Sequence, residues 1–374
     1  MKQGWEIKKI KDICNKASSN IAQNKIVELD GDYPVFGASG FVQNIDFYHR
    51  DKRYIGVVKD GSGVGRVNIY PPYSSLLGTL QYILPNNGYD LDFVAYALKR
   101  VNLPKFSSGA AIPHIYFRDY GEVEIAVPSL DEQKRIVDIL DKEFEKIDTL
   151  KANAEKGLQY AKNLFQSALK QELLPKEGWM IKSLDMISTF SQGVQVEVGK
   201  QFTEKLDGYM RFLRIVDFTQ GNEPPRYVDI IDERYQVKKD SLSVVRYGAS
   251  AGFICTGQEG VIANNIFKIE PKRDTLISNA YLYYVLISDI FQSVIRKNVN
   301  GAAMPAISFG MIKDVNIPYP SIQEQNQIVA HLDKLKAHCN NLQKNYEKTI
   351  ALCDDMKQAL LRKAFNGELK KNIL

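Results

Sequence analysis

No run of eighteen or more apolar residues interrupts the 374-residue chain, and its opening MKQGWEIKKI carries no apolar signal region. Those absences predict a soluble, cytoplasmic protein with no membrane partner. Cysteine is scarce and scattered: Cys14, Cys255, Cys339 and Cys353 form no C-x-x-C pair, which argues against a disulfide framework or a zinc module. Strong charge of either sign is missing too. The net charge of +5 is spread without a basic block, so a nucleic-acid surface would have to be assembled by folding. Catalytic signatures are equally thin. Asp60-Gly-Ser-Gly-Val-Gly-Arg66 has the glycines of a phosphate-cradling loop, but it lacks the Lys-Ser/Thr of a P-loop and VNIYPPY follows it instead of a helix. Tyr70-Pro-Pro-Tyr73 puts tyrosine where an amino-methyltransferase motif needs Asn or Asp, and reads as edge-strand prolines. There is no glycine-rich S-adenosylmethionine loop, and the carboxylates form no nuclease or acid–base constellation. His331 and His338 share a helix without further ligands. No catalytic residue, metal or cofactor is expected.

What is present is a repeat, and a fixed-period repeat governs the reading of a fold. PSLDEQKRIVDILD from Pro128 and PSIQEQNQIVAHLD from Pro320 align as P-S-x-x-E-Q-x-x-I-V-x-x-L-D at an offset of 192. The pairs include Glu132/Glu324, Gln133/Gln325, Leu140/Leu332 and Asp141/Asp333. Gly109–Ile115 and Gly301–Ile307 match as G-A-A-x-P-x-I at the same offset. The two tryptophans, Trp5 and Trp179, open each half in a G-W-x-I-K motif and predict an anchor against the preceding helix. Between these frames the interiors differ in length and sequence.

Each P-S-x-x-E-Q motif opens a helix with one apolar stripe. The first carries Ile136, Leu140, Phe144, Ile147, Leu150, Ala154, Leu158, Ala161, Phe165 and Ala168; the second runs from Ile328 through Leu335, Cys339, Cys353 and Met356 to Leu360. A stripe of roughly 40 residues makes a helix about 60 Å long that must pack on a partner. The other copy, in an antiparallel coiled coil, is that partner. Gly157 lowers helix propensity midway. The interiors, dense in glycine turns and short β-branched runs, predict strands, followed by one helix in each half, at 91–101 and 280–296. Because the end of the chain joined to its start would recreate the first junction, the organisation is pseudo-twofold and nearly circular. The fold class is α+β.

Side chains that read bases or hold phosphates gather in the interiors. In the first half they are Lys59, Ser62, Arg66, Ser108 and His114. In the second they are Arg246, Tyr247, Ser250, Gln258, Asn264, Asn265, Arg296, Lys297 and Asn300. Taken singly each is an ordinary turn or surface residue; the twofold layout makes the set a candidate.

The G-W-x-I-K openings, the G-A-A-x-P-x-I loops, the P-S-x-x-E-Q helices and the ending Gln358–Leu369 (QALLRKAFNGEL) resemble the DNA-specificity subunit of type I restriction–modification systems over essentially the whole chain. The first helix ends in a looser copy, SALKQELLP. The resemblance implies a non-catalytic subunit with two globular mixed α/β target-recognition domains, residues 1–129 and 175–320, each reading half of a bipartite double-stranded DNA site. Residues 130–174 and 321–374 would be spacer helices. The implied partners are two methyltransferase (modification) subunits and restriction/translocase subunits. Three alternatives remain at this point: a subunit of a related system with a fused methyltransferase/nuclease partner, a standalone enzyme, and a protein-binding scaffold.

Overall fold

The structure is a computed structural model that describes residues 4–109, 112–229, 232–299 and 305–369. The chain forms two compact units, one of residues 1–156 with 346–374 and the other of residues 157–345.

In the first unit, strands β1 (Glu6–Lys9) and β9 (Glu124–Val127) pair antiparallel, with the one-turn helices α1 (Ile10–Ile13) and α3 (Phe117–Tyr120) beside them. The central sheet has the order β2 (Cys14–Ser18), β8 (Leu80–Pro85), β5 (Tyr54–Val58), β6 (Val67–Tyr70). A second sheet joins β4 (Gly40–Ile45), β3 (Tyr33–Gly37) and β7 (Ser75–Leu76). Alternation along β5 explains the layering. Ile55 and Val57 face helix α2 (Leu91–Arg100), in a core with Phe93, Val94 and Ala97, while Tyr54 and Val58 face the second sheet with Val35, Ile45 and Leu76. Burial on both sides makes β5 apolar throughout.

The second unit repeats that plan. Strands β10 (Met180–Ser183) and β19 (Asn316–Tyr319) pair, flanked by α5 (Leu184–Ile187) and α9 (Phe309–Ile312). The central sheet is β11 (Ser188–Gln192), β18 (Ile266–Pro271), β15 (Leu242–Val245), β16 (Ile254–Cys255). The second sheet is β13 (Arg226–Asp229), β12 (Tyr209–Leu213), β17 (Gly260–Ile262), β14 (Gln236–Val237). Its β12–β13 connection carries α6 (Ile215–Thr219), where the first unit has only the short turn between β3 and β4. The single helix expected over 280–296 is two: α7 (Asn279–Ile287) and α8 (Asp289–Val299). Ser288 separates them; its hydroxyl donates to Val285 O and accepts from Ile290 N, so it ends one helix and caps the next.

The long helices are α4 (Leu130–Glu172) and α10 (Ile322–Phe365), and Gly157 does not interrupt the first. They run antiparallel in each unit. In the first, Lys151 meets Asp354 at 2.8 Å and Lys357 meets Asp148 at 2.5 Å; in the second, His331 meets Glu172 at 2.8 Å. Ile136, Leu140, Ile147, Ala154 and Cys353 of the stripes are buried, and so is Leu361, one residue past the expected end of the second stripe. Leu150 and Met356, expected in the seam, are instead 45% and 46% exposed. With Ile147 and Leu360 they line a groove of about 340 Å³.

The repeated motif joins each globular segment to its long helix. Gln133, 1% exposed, accepts from Asp90 N at 2.8 Å and donates to Pro128 O. Gln325, fully buried, accepts from Ser278 N at 3.0 Å and donates to Pro320 O and Leu276 O. Asp90 and Ser278 are the N-caps of α2 and α7, so each glutamine satisfies the backbone of a cap. Asp141 accepts from the Tyr96 hydroxyl, and Asp333 from the Tyr284 hydroxyl at 2.5 Å. Burial, then the neighbouring carboxylate, pushes both phenols up. Trp179 does more than pack on the preceding helix: its indole donates to Glu324 at the start of α10. Trp5 and Leu369, near opposite ends of the chain, share one core.

Candidate nucleic-acid interface

In the first unit all five candidate residues come together at one end of the central sheet. The β5–β6 connection, 59–66, is a tight turn in which Val64 N reaches Gly61 O at 3.0 Å and Gly65 N reaches Val58 O at 2.8 Å. Gly61 and Gly65 sit at φ +86° and +87°, which L side chains rarely adopt. A Cβ on Gly65 would also lie 2.5 Å from Pro104. Ser62 and Arg66 are exposed on this turn. The 108–115 loop is stitched to it: Gly61 N donates to Pro113 O at 2.9 Å and Ile115 N to Lys59 O at 3.0 Å. That loop is the G-A-A-x-P-x-I motif; its Ala110 and Ala111 lie outside the described residues. Asp60 pairs with the His114 imidazole, Lys59 Nζ lies 3.6 Å from Asp60, and Ser108 exchanges backbone bonds with His114. The His114 ring is 4.1 Å from Tyr116, on which the Arg118 guanidinium lies at 4.5 Å.

The second unit builds the same turn from 246–253. Its Val245–Phe253, Gly252–Val245, Ala251–Gly248, Phe253–Ser250, Gly248–Pro305 and Ile307–Arg246 backbone bonds reproduce, partner for partner, those made by 58–66 with 113 and 115. Gly248 and Gly252 have φ of +82° and +92°. Arg246 N donates to Asn265 O at 2.8 Å as Lys59 N donates to Thr79 O at 3.0 Å. Arg246, Tyr247, Ser250, Asn264 and Asn265 therefore lie together. The Arg246 guanidinium sits 4.8 Å from the Tyr247 ring, and its Nε donates to Ile307 O. Asn264 donates to Gln195 and accepts at its carbonyl from Gln192. The Asn265 Oδ1 is buried without a partner among the described residues.

The remaining candidates separate. Arg296 and Lys297 are exposed near the end of α8, whose Ile295 and Gln292 contact Gly252; Arg296 pairs with Asp289 at 2.6 Å. Gln258 lies in the β16–β17 turn, where Gly257 N meets Lys239 O, at the opposite end of β15 from Arg246. Asn300 lies outside the described residues. The repeat V-[KR]-x-G-x-x-x-G, 58–65 and 245–252 at an offset of 187, marks both turns and was a signal present in the sequence. Thr79, Gln192, Gln195 and Tyr116 also belong to these surfaces and were not among the candidates. Among the described residues no group of His, Cys, Asp or Glu could hold a metal ion, and no helix is long and apolar enough to cross a membrane.

Comparison with known proteins agrees with this architecture. The chain is 23% identical over 406 residues to the EcoDI type I restriction enzyme specificity subunit of Escherichia coli, covering 96% of this chain and 86% of that one. It is 24% identical over 296 residues to the EcoBI specificity subunit of Escherichia coli, spanning 70% of this chain but 62% of that relative. Among solved structures, a chain from a type I R-M system studied for its complex assembly matches with a TM-score of 0.77 at 17% identity, over 98% of this chain and 99% of that one. The HsdS subunit from Thermoanaerobacter tengcongensis matches with a TM-score of 0.57 at 18% identity, over 98% of each chain. These likenesses show the fold. The sequence profile of the type I restriction modification DNA specificity domain matches residues 2–159 and 176–352, so the chain belongs to that family.

Proposed function

We propose that this chain is the DNA-recognition subunit of a type I restriction–modification complex, each unit reading one half of a bipartite asymmetric site. Under this reading residues 1–129 and 175–320 are the target-recognition domains, and 130–174 and 321–374 are the spacer helices. The observation that carries it is the matched pair of turn-and-loop platforms, one in each unit, presenting different polar side chains from the same backbone frame. A duplicated frame with unlike side chains is what two unrelated half-sites require.

The chain supplies recognition, while methyl transfer belongs to two methyltransferase subunits and cleavage to restriction/translocase subunits, all in the cytoplasm. Large apolar side chains left exposed on the long helices, Leu150, Leu352 and Met356 in the first unit and Tyr160 and Leu164 in the second, support partner docking there. The test is exchange of residues 14–127 for the corresponding segment of another family member, within the assembled methyltransferase. Mapping methylated sites genome-wide is expected to show one altered half and one unchanged half. Alteration of both halves, or of neither, would refute the reading.

A further inference from the structure

Two platforms built on one frame allow shared roles to be separated from private ones. Superposed by their hydrogen bonds, position 59 corresponds to 246, 60 to 247, 61 to 248, 65 to 252, 79 to 265, 113 to 305, 114 to 306 and 115 to 307. At some of these positions the chemistry is the same in both units. Gly61/Gly248 and Gly65/Gly252 supply the left-handed backbone, and Pro113/Pro305 and Ile115/Ile307 hold the loop to the turn. The remaining match is a cation, Lys59 or Arg246. In both units it leans on the side chain that follows it, Asp60 at 3.6 Å or Tyr247 at 4.8 Å. Both cations are only partly buried.

At other corresponding positions the chemistry differs. Asp60 faces Tyr247 in the comparison, Thr79 faces Asn265, and His114 faces Ala306. Just before Thr79 and Asn265, Gly78 stands where the second unit has Asn264.

Half-sites of different sequence present different base edges but the same sugar–phosphate backbone. A side chain performing one task in both units must therefore touch what the half-sites share, and a side chain that discriminates must differ. A phosphate needs only positive charge, which Lys and Arg both provide, whereas a bidentate base contact does not tolerate their exchange equally. We propose that Lys59 and Arg246 are a matched pair of DNA-phosphate contacts that hold each unit on the duplex without reading sequence. Base readout in turn falls to the unlike positions Asp60 and His114 in the first unit and Tyr247, Asn264 and Asn265 in the second. This inference rests on the DNA-recognition reading and sorts that surface into grip and reader.

The experiment measures binding of the complete methyltransferase complex to a duplex carrying its methylated motif, between about 50 and about 200 mM salt, and maps methylation in cells. Lys59→Gln and Arg246→Gln are each expected to weaken binding and to reduce the slope of log K against log salt by about 0.9. The defect relative to the unaltered complex then shrinks by roughly threefold across that salt range. The methylated motif stays the same. Arg246→Lys keeps the charge but loses the guanidinium Nε bond to Ile307 O, so a retained slope separates charge from scaffolding. Asn265→Thr is expected to keep the slope and alter only the half read by the second unit. The proposal is overturned if a neutral variant changes the identity of a methylated base, if slope and affinity stay unchanged, or if Arg246→Lys loses as much as Arg246→Gln. An unaltered complex without salt-dependent, motif-selective binding would overturn the DNA-recognition reading itself.

Discussion

Gln133 and Gln325 concentrate in one side chain each what a joint requires: complete burial, a bond to a helix cap and a bond back to their own helix approach. Replacing Gln325 by leucine would preserve volume but leave Ser278 N, Leu276 O and Pro320 O unpaired. A loss of about 3 kcal/mol in the stability of the second unit is expected, measurable by denaturant titration. Glu324, its neighbour, is held below the usual carboxylate range first by the Ser321 hydroxyl and then by the Trp179 indole. A depressed carboxyl contributes stability that is complete above its ordinary value of 4.5 and lost as pH falls through the folded value. Glu324→Gln should therefore flatten the acid limb of the second unit's stability profile, and an unchanged profile would contradict this. These two residues are visible in the sequence as a repeated E-Q pair, but their partners are not. Asp90 and Ser278 precede the motif by more than forty residues, and only the fold brings them back to it.

Legibility changes again at the level of elements. The two long helices are evident from periodicity because a single apolar stripe persists through them, and neither needs distant residues to define it. The break at Ser288 is not evident, since AYLYYVLISDIFQSVIR is apolar enough to read as one helix. A hydroxyl bonded in both directions decides it. The matched turns do not share the 192 offset of the flanking motifs because interiors of unequal length move them to 187. Their glycines make the prediction at this scale. Gly252→Ala combines φ +92° with a Cβ 2.7 Å from Ile295 Cγ2, so a loss of about 1–3 kcal/mol is expected. An unfolding midpoint equal to that of the unaltered protein would contradict the strain.

Taken whole, the chain closes on itself within the first unit. Leu361, Ala364, Phe365 and Leu369 from its far end share a core with Trp5, and the Phe365 ring lies 4.9 Å from Phe93. Phe365→Ala should cost the first unit about 3–5 kcal/mol. Limited proteolysis should then expose sites within 4–156 before those within 157–345, and equal susceptibility would refute the assignment of the far end to that unit. Twofold organisation is legible here in the repeated motifs, whereas the composition of each unit from non-contiguous segments is a property of packing that no local pattern announces.

The unequal freedom of the two turns' positions has an evolutionary consequence. Residues 61, 65, 248 and 252 have no substitute that keeps the backbone relaxed, while 60 and 247, 79 and 265, and 114 and 306 have already parted company on the same scaffold. Under the proposed division into grip and reader, a lineage would exchange one target for another through a few loop substitutions without renegotiating its fold. Comparison of closely related strains should then show bursts of divergence bounded by unchanging glycines.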